Sequence, residues 1–359
     1  VLSTVSAGYV EHHDQVLLDP HGPRTGKGDA YRVFTPYASA LHRIIAKRSG
    51  EQAFLRPDPR GQLPIPSDPV PDSITGAEGA VDLADWPVGE QAALARLKVF
   101  LDERAKQYAV DRDKPGIQGT SRLSAPLAVG SLSPWTCLIA ARSRQADGES
   151  SKGLSTWITE LVWREFYRHV LFNFPHVCKN RNFDPRKDHV RWRDDEEGFQ
   201  AWCEGRTGIP IVDAAMRCLL ATGWMHNRLR MVSSQFLCKH LLIDWRRGED
   251  FFAQHLVDID FASNNGGWQW SASTGTDAAP YFRIFNPVLQ GQRFDPEGEF
   301  TRRWVPELSE IGNKDLHDPW RRCLEKANEA GYPEPIVDLS LARMRAIDEF
   351  KFALNSAAT

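Results

Sequence analysis

The chain has 359 residues, 42% hydrophobic and 25% charged, enough apolar content for one large domain or two ordinary ones. Its 44 basic and 47 acidic residues leave a formal charge of −3, which excludes a blanket electrostatic grip on nucleic acid and leaves only a local basic patch. No apolar run approaches the roughly 18 residues of a membrane span.

Residues 1–10 lack the basic and apolar regions of a secretory signal, and the missing initial Met suggests a segment from inside a longer protein. Residues 1–34 read as loop. The run GPRTGKG over 22–28 is not a phosphate loop: the spacing is one residue short, and Gly28 stands where a hydroxyl is required. Residues 36–48 read as a helix with Pro36 in its first turn. Seven prolines over 56–89 mark a linker and a boundary. From residue 89 the pattern is helical. Helices are expected over 89–109, from Ser133-Pro134, and over 154–172, 211–222, 225–242 and 248–257, with Gly223 among the stop signals. No alternating strand and no repeat is visible after residue 89. The fold class is therefore mainly α, an all-helical domain over about 90–355.

Six isolated cysteines, Cys137, Cys178, Cys203, Cys218, Cys238 and Cys323, form no CxxC pair and suit a reducing compartment. Twelve tryptophans are unusual, and eight of them fall between Trp157 and Trp270. A helical core could use them as filler.

Four constellations carry chemistry. Residues 108–124 (YAVDRDKPGIQGTSRLS) offer hydroxyls and backbone N–H groups ahead of a helix, which suits a phosphate or ribityl chain; a helix cap would look the same. On the helix WITELVWREFY, Glu160, Trp163, Arg164 and Tyr167 share one face, with Trp157 a turn earlier. That stripe suits a planar polar ligand, or an exposed Glu160–Arg164 pair beside core aromatics. His226, Asn227, Arg228 and Arg230 gather at a helix start, as side chains that contact base edges and phosphates do, or as a solvated polar end. In DIDFASNNGGWQW (258–270), Ala262 defeats an EF-hand reading. The run 264–267 reads as a flexible turn that lets backbone approach a ligand. This run is too polar for core and too aromatic for a solvated loop, and is the strongest pointer to a site. No GxGxxG, zinc signature or GxSxG elbow is present.

In this order the constellations resemble the photolyase/cryptochrome family over about residues 9–350. The resemblance rests on GTSRLS (119–124), WREFYRH (163–169), TGWMHNRLRM (222–231), NNGGWQW (264–270) and TGTDAAPYFRIFNP (274–287). Among subfamilies it is most similar to bacterial class I enzymes that repair cyclobutane pyrimidine dimers. It implies an all-helical FAD-binding domain over 89–355. Before that would come an interdomain helix and Pro-rich linker over 36–88, and the tail of an α/β antenna domain over 1–35.

By motif match, Tyr108, Thr120, Ser121, Arg122, Leu123 and Ser124 would hold the FAD phosphates and ribityl chain. Trp157 and Arg164 would flank the cofactor, Asp258 and Asp260 would contact it, Arg230 would pair with Asp258, and Asn264 would face flavin N5. Asn264 favours repair, since plant photoreceptor relatives have Asp there and animal ones Cys. The implied reaction is a light-driven carbon–carbon lyase step, in which reduced anionic FAD donates an electron to a dimer flipped out of the duplex. Photolyases are among the enzymes that extrude their base.

Trp163 and Trp270 would sandwich the dimer, and Glu160 would hydrogen-bond the pyrimidine edge. Asn227 and Met231 would line the pocket, and Arg112, Arg228, Arg283 and Gln290 would grip the flanking backbone. Met231 sets the chain apart from six-four photolyases, which carry a His there. Trp268, Trp245 and Trp192 match the family's electron relay to the flavin. Cys178 and Lys179 match one side of a folate antenna pocket whose other side lies in the antenna domain. The implied partner is DNA containing cyclobutane pyrimidine dimers, met by a monomer in the cytoplasm without membrane contact. The alternative is a cryptochrome-like blue-light receptor that binds FAD without repair.

Overall fold

The computed structural model describes residues 13, 15–48, 69, 86, 88–149 and 151–357. Most of the proline-rich stretch over 56–89 lies outside them. Among the described residues there is no strand. No helix among them is long and apolar enough to cross a membrane.

Helix α1 (Phe34–Arg48) is followed by α2 (Glu90–Glu103), α3 (Tyr108–Asp111), α4 (Ser124–Val129), α5 (Pro134–Ala146) and α6 (Lys152–Asn173). Next come α7 (Glu196–Cys203), α8 (Pro210–Thr222), α9 (Asn227–Gln235), α10 (Trp245–His255) and α11 (Phe261–Ala272). Then follow α12 (Pro287–Phe294), α13 (Glu299–Trp304), α14 (Pro319–Arg322), α15 (Leu324–Glu329) and α16 (Leu339–Ser356).

The boundaries have local causes. Ser133 caps α5 by accepting from the Trp135 N–H at 3.2 Å, with Pro134 opening the first turn. Ser151 caps α6 through the Leu154 N–H at 3.1 Å. Gly223, at φ 65°, ends α8 in the left-handed region that a glycine enters without strain. Asp244 accepts from the Arg246 N–H at 3.0 Å, so α10 starts at Trp245 rather than at residue 248.

Three expectations are corrected. The helix expected over 89–109 stops at Glu103 and resumes as α3. The helix expected over 225–242 winds wider over Phe236–Leu241, a π-helical stretch that Leu242 ends at φ 55°. The turn expected at 264–267 is the middle of α11. Asp260 starts that helix by accepting from the Ser263 N–H at 2.9 Å, and packing against α6 holds it despite two glycines.

Two large apolar clusters form the body. One gathers α8, α9, α10 and α11 around Trp202, Met216, Phe236, Trp245 and Trp268. The other joins α1, α2 and α6 around Tyr37, Leu41, Phe100, Trp157 and Phe166, and takes in Leu17 and Leu18. The Glu165 carboxylate ties that early segment down, accepting the Leu17 and Leu18 N–H groups at 2.8 and 2.9 Å. Residues 15–48 are thus packed into the helical body.

Candidate FAD and DNA site

Helix α6 buries Leu154, Trp157, Ile158, Leu161, Val162, Phe166 and Val170. Its adjoining stripe, Glu160, Trp163, Arg164 and Tyr167, lines a cavity of about 510 Å³. That size is within the ordinary range for a ligand pocket. Tyr108 of α3 and Arg112 just beyond it form one wall with Ser121, Leu123 and Ser124. Helix α9 adds Asn227, Arg230 and Met231. Asp258, Asp260, Asn264, Gly267, Trp268 and Trp270 come from α11 and the turn before it. The cavity lies where the two clusters meet: Leu127, Trp157 and Leu161 belong to one, Phe252, Leu256 and Trp268 to the other.

The polar groups are mutually held. Arg230 donates to both Asp258 oxygens at 2.8 and 3.0 Å, and its Nε donates to the Met225 carbonyl at 2.8 Å. Asp260 also accepts from Arg168. Arg164 donates to the carbonyls of Gln15 and Leu127 rather than to Glu160. Glu160 instead accepts from Arg112 at 2.5 Å. The Arg112 guanidinium, expected on a DNA backbone, therefore points at the residue expected on a base. Phe34 stacks flat on Trp163, with ring centroids 3.6 Å apart and planes 3° from parallel, and covers one face of that indole.

The two asparagines of α11 diverge. Asn264 lines the cavity and donates from Nδ2 to the Glu249 carbonyl at 3.0 Å. Asn265 turns inward and donates to Glu249 Oε1 at 2.8 Å, and Gln269 Nε2 donates to Asn265 Oδ1 at 2.9 Å. The Phe183 N–H closes this ladder on Gln269 Oε1 at 2.8 Å. Burial pushes the Glu249 carboxyl up to about 7, against the pull of the Asn265 hydrogen bond. The glycines differ too. A Cβ on Gly266 would lie 2.2 Å from the Tyr167 ring, whereas one on Gly267 meets nothing within 4 Å.

Several expected residues do not line the cavity. Thr120 and Arg122 are outside it; Arg122 turns through φ 51° and lays its guanidinium 4.5 Å from the Trp224 ring centroid. Arg228 pairs with Asp113 at 2.9 Å and lies over the Phe294 ring, Arg283 is exposed, and Gln290 sits on α12. His226 caps α9, its Nδ1 accepting from the Arg228 N–H at 3.2 Å, and burial lowers its pKa to about 4.

Of the three tryptophans matched to a relay by resemblance, Trp268 lines the cavity, Trp245 is buried in the same apolar cluster and Trp192 packs against that cluster. Sequence reasoning missed Phe34, Glu249 and Asn265. Phe34 carries no local signal, and Asn265 was legible only as half of a polar pair.

Fold and site together define a helical domain built to hold a long, partly anionic, partly aromatic cofactor. The family described as the FAD binding domain of DNA photolyase matches residues 157–352. The chain is 46% identical over 341 residues to the deoxyribodipyrimidine photo-lyase of Escherichia coli strain K12, covering 95% of this chain and 72% of that protein. It is 48% identical to the Salmonella typhimurium protein of the same name, covering 96% and 72%. Among solved structures, a bacterial class III photolyase from Agrobacterium tumefaciens matches with TM-score 0.78 and 39% identity, covering 95% of this chain and 72% of that one. A cryptochrome from Synechocystis matches with TM-score 0.79 and 30% identity, covering 93% and 71%. The chain belongs to the photolyase/cryptochrome family.

The residues present fit FAD. Ser121, Ser124 and Arg164 supply phosphate donors, Asp258 and Asp260 supply acceptors, and Trp157 and Trp268 supply aromatic walls. The missing side chain of Gly267 leaves room beside them.

Proposed function

We propose that the protein repairs DNA in light by opening the two C–C bonds that join a cyclobutane pyrimidine dimer. One observation carries this reading: most of the residues matched to FAD and the inner set matched to the lesion face a single cavity. Asn264, Asp258 and Arg230 line it together with Glu160, Trp163, Asn227, Met231 and Trp270. When bound and reduced, FAD supplies a photoexcitable one-electron donor.

The chain's own residues bind, orient and exclude water. We assign cofactor binding to the cavity-lining Tyr108, Ser121, Leu123, Ser124, Trp157, Arg164, Arg230, Asp258, Asp260 and Asn264, and to Thr120 and Arg122, which lie outside the cavity, a supporting part in the loop that carries Ser121. The Arg164 guanidinium favours an anionic reduced form by charge, while that of Arg230 is matched by Asp258. Trp163 and Trp270 stack on the extruded dimer, where each base–aromatic contact is worth about 1–3 kcal/mol. Phe34 stiffens Trp163 from behind, so ordering that indole costs less when substrate arrives. Glu160 hydrogen-bonds the pyrimidine edge, and Asn227 and Met231 form the wall. Arg283 and Gln290 hold the flanking backbone, and Arg112 and Arg228, paired in the free protein with Glu160 and Asp113, join them only when those pairs open. Trp268, Trp245 and Trp192 relay electrons to the cofactor. A folate antenna would meet Cys178 and Lys179, both exposed at the end of the helical turn Pro175–Lys179. The protein acts as a cytoplasmic monomer on DNA.

The test is repair of a thymine-dimer oligonucleotide by chemically reduced, FAD-loaded protein, with and without blue light, read by chromatography. Light-dependent return of intact thymines is the expected result. No repair with FAD bound and reduced would overturn it. The likeness to the Synechocystis cryptochrome would then favour a light sensor, and lesion affinity equal to that for undamaged DNA would support that second reading.

A further inference from the structure

The three relay tryptophans sit in different surroundings. Trp268 is buried, and its indole N–H finds no acceptor among the described residues. Trp245 is fully buried too, but its N–H donates to Asn182 Oδ1 at 3.0 Å. Asn182 is itself buried and donates from Nδ2 to Asp188 Oδ1 at 2.6 Å. Trp192 is half-buried, with its ring edge-on to Phe350. Among the described residues the one cation over Trp245 is Arg246, 4.8 Å from the ring centroid, and it is neutralised by Asp244 at 3.0 and 3.1 Å. Among the described residues the remaining charge directed at this indole is the Asp188 carboxylate, acting through the Asn182 amide.

We propose that Asn182, polarised by Asp188, is a positioning residue that draws an electron hole from Trp268 onto Trp245 and keeps it mobile there. This rests on reading Trp268, Trp245 and Trp192 as an electron relay. When a hole reaches Trp268, one electron passes from Trp245 to Trp268. Trp268 returns to its neutral state, Trp245 becomes the radical cation, and no bond is broken. The new positive charge strengthens the Trp245 N–H donor, and the Asn182 carbonyl is aimed at it. No described residue offers Trp268 such an acceptor, so the hole moves toward Trp245.

An amide oxygen is too weak a base to take the indole proton. The proton therefore stays on Trp245, and the hole leaves by taking an electron from Trp192. A carboxylate in the place of Asn182 would take the proton and trap a neutral radical.

The first readout needs no cofactor. The Trp245 indole N–H resonance, assigned by its loss in Trp245→Phe, is expected to move upfield in Asn182→Leu and less far in Asp188→Asn. The second is transient absorption of FAD-loaded, oxidised protein. Asn182→Leu is expected to lower the Trp245-to-Trp268 hole ratio about tenfold, the weight of one charge-assisted hydrogen bond. The swap Asn182→Asp with Asp188→Asn keeps both hydrogen bonds and is expected to yield a neutral rather than a cationic Trp245 radical. Melting temperature and FAD content report folding. Should Asn182→Leu fail to fold, the exposed Asp188→Asn and the swap still decide.

Unchanged hole ratios in Asn182→Leu, or a cationic radical in the swap, would overturn the proposal while leaving the relay standing if Trp245→Phe blocks photoreduction. Photoreduction that survives Trp245→Phe would overturn the relay reading and the proposal with it.

Discussion

At the residue scale, Glu160 and Arg112 show what a motif leaves unsaid. The pattern assigns Glu160 to the pyrimidine edge and Arg112 to the flanking backbone but cannot say that they face each other at 2.5 Å. Each side chain keeps about a quarter of its surface exposed, 23% for Arg112 and 30% for Glu160, so the ion pair by itself adds little stability. Its weight is in recognition: while Arg112 is held by Glu160, it is not a free phosphate contact. In Glu160→Gln the neutral amide no longer holds the guanidinium. Repair by pre-reduced protein is expected to fall several-fold with FAD content unchanged, because the lesion loses an acceptor that the cofactor does not use. Affinity for undamaged DNA is expected to rise, and the slope of log K against log salt to steepen by about 0.9, one added phosphate contact. Salt titration by fluorescence anisotropy measures this. Loss of FAD from the variant would instead make Glu160 a cofactor ligand.

At the scale of elements, α11 separates what the sequence discloses from what packing decides. Its polar and aromatic content singles it out as a site, and Asp260, Asn264, Trp268 and Trp270 do line the cavity. Its conformation is misread as a turn because Asn and Gly both disfavour helix. What overrides propensity is the contact with α6, where the Gly266 backbone lies against the Tyr167 ring, a contact between residues far apart in sequence. The same holds for Phe34 on Trp163. The helix start at Ser133-Pro134 and the spans over 154–172 and 211–222 were legible because their caps and periodicity are local. The wider winding at Phe236–Leu241 was not, because no local residue type marks it.

The two glycines therefore make opposite predictions. In Gly266→Ala the new methyl strikes an aromatic ring on a packed helix, and a loss of about 1–3 kcal/mol is expected together with weaker FAD binding. In Gly267→Ala nothing is struck, so the apoprotein is expected to gain up to about 1 kcal/mol from helix propensity while FAD affinity falls as the methyl intrudes on the cavity. Thermal melts of apo and loaded protein, with flavin titration, check both. Equal behaviour of the two variants would remove Gly267 from the cofactor wall.

At the scale of the whole molecule, two apolar clusters meet over a seam that carries buried titratable groups, and these couple the stability of the body to pH. Glu249, beneath Asn264 and Asn265, is held up to about 7 by burial, from an ordinary value of 4.5. Its folded-state value is raised, so its contribution is fully present below about 4.5 and is lost as pH rises through about 7. Above that the folded protein holds a buried carboxylate that the unfolded chain would solvate. Over that window each pH unit costs about 1.4 kcal/mol, about 3 kcal/mol in all. His226 runs the other way. Burial lowers it to about 4, so its contribution is present above about 6.5 and is lost as pH falls through about 4. The two excursions are equal in size, from 4.5 to about 7 and from 6.5 to about 4, and their slopes oppose each other between about pH 4.5 and 6.5; above that only Glu249 still titrates, which makes it the residue to change. Glu249→Gln keeps the oxygen that accepts from Asn265 and removes the titration. Its melting temperature is expected to equal the parent's near pH 4.5, to exceed it by several degrees at pH 8, and to vary less between. If the parent and variant curves stay parallel from pH 4.5 to 8, Glu249 titrates alike in the folded and unfolded states, and the seam between the two clusters is wet rather than dry.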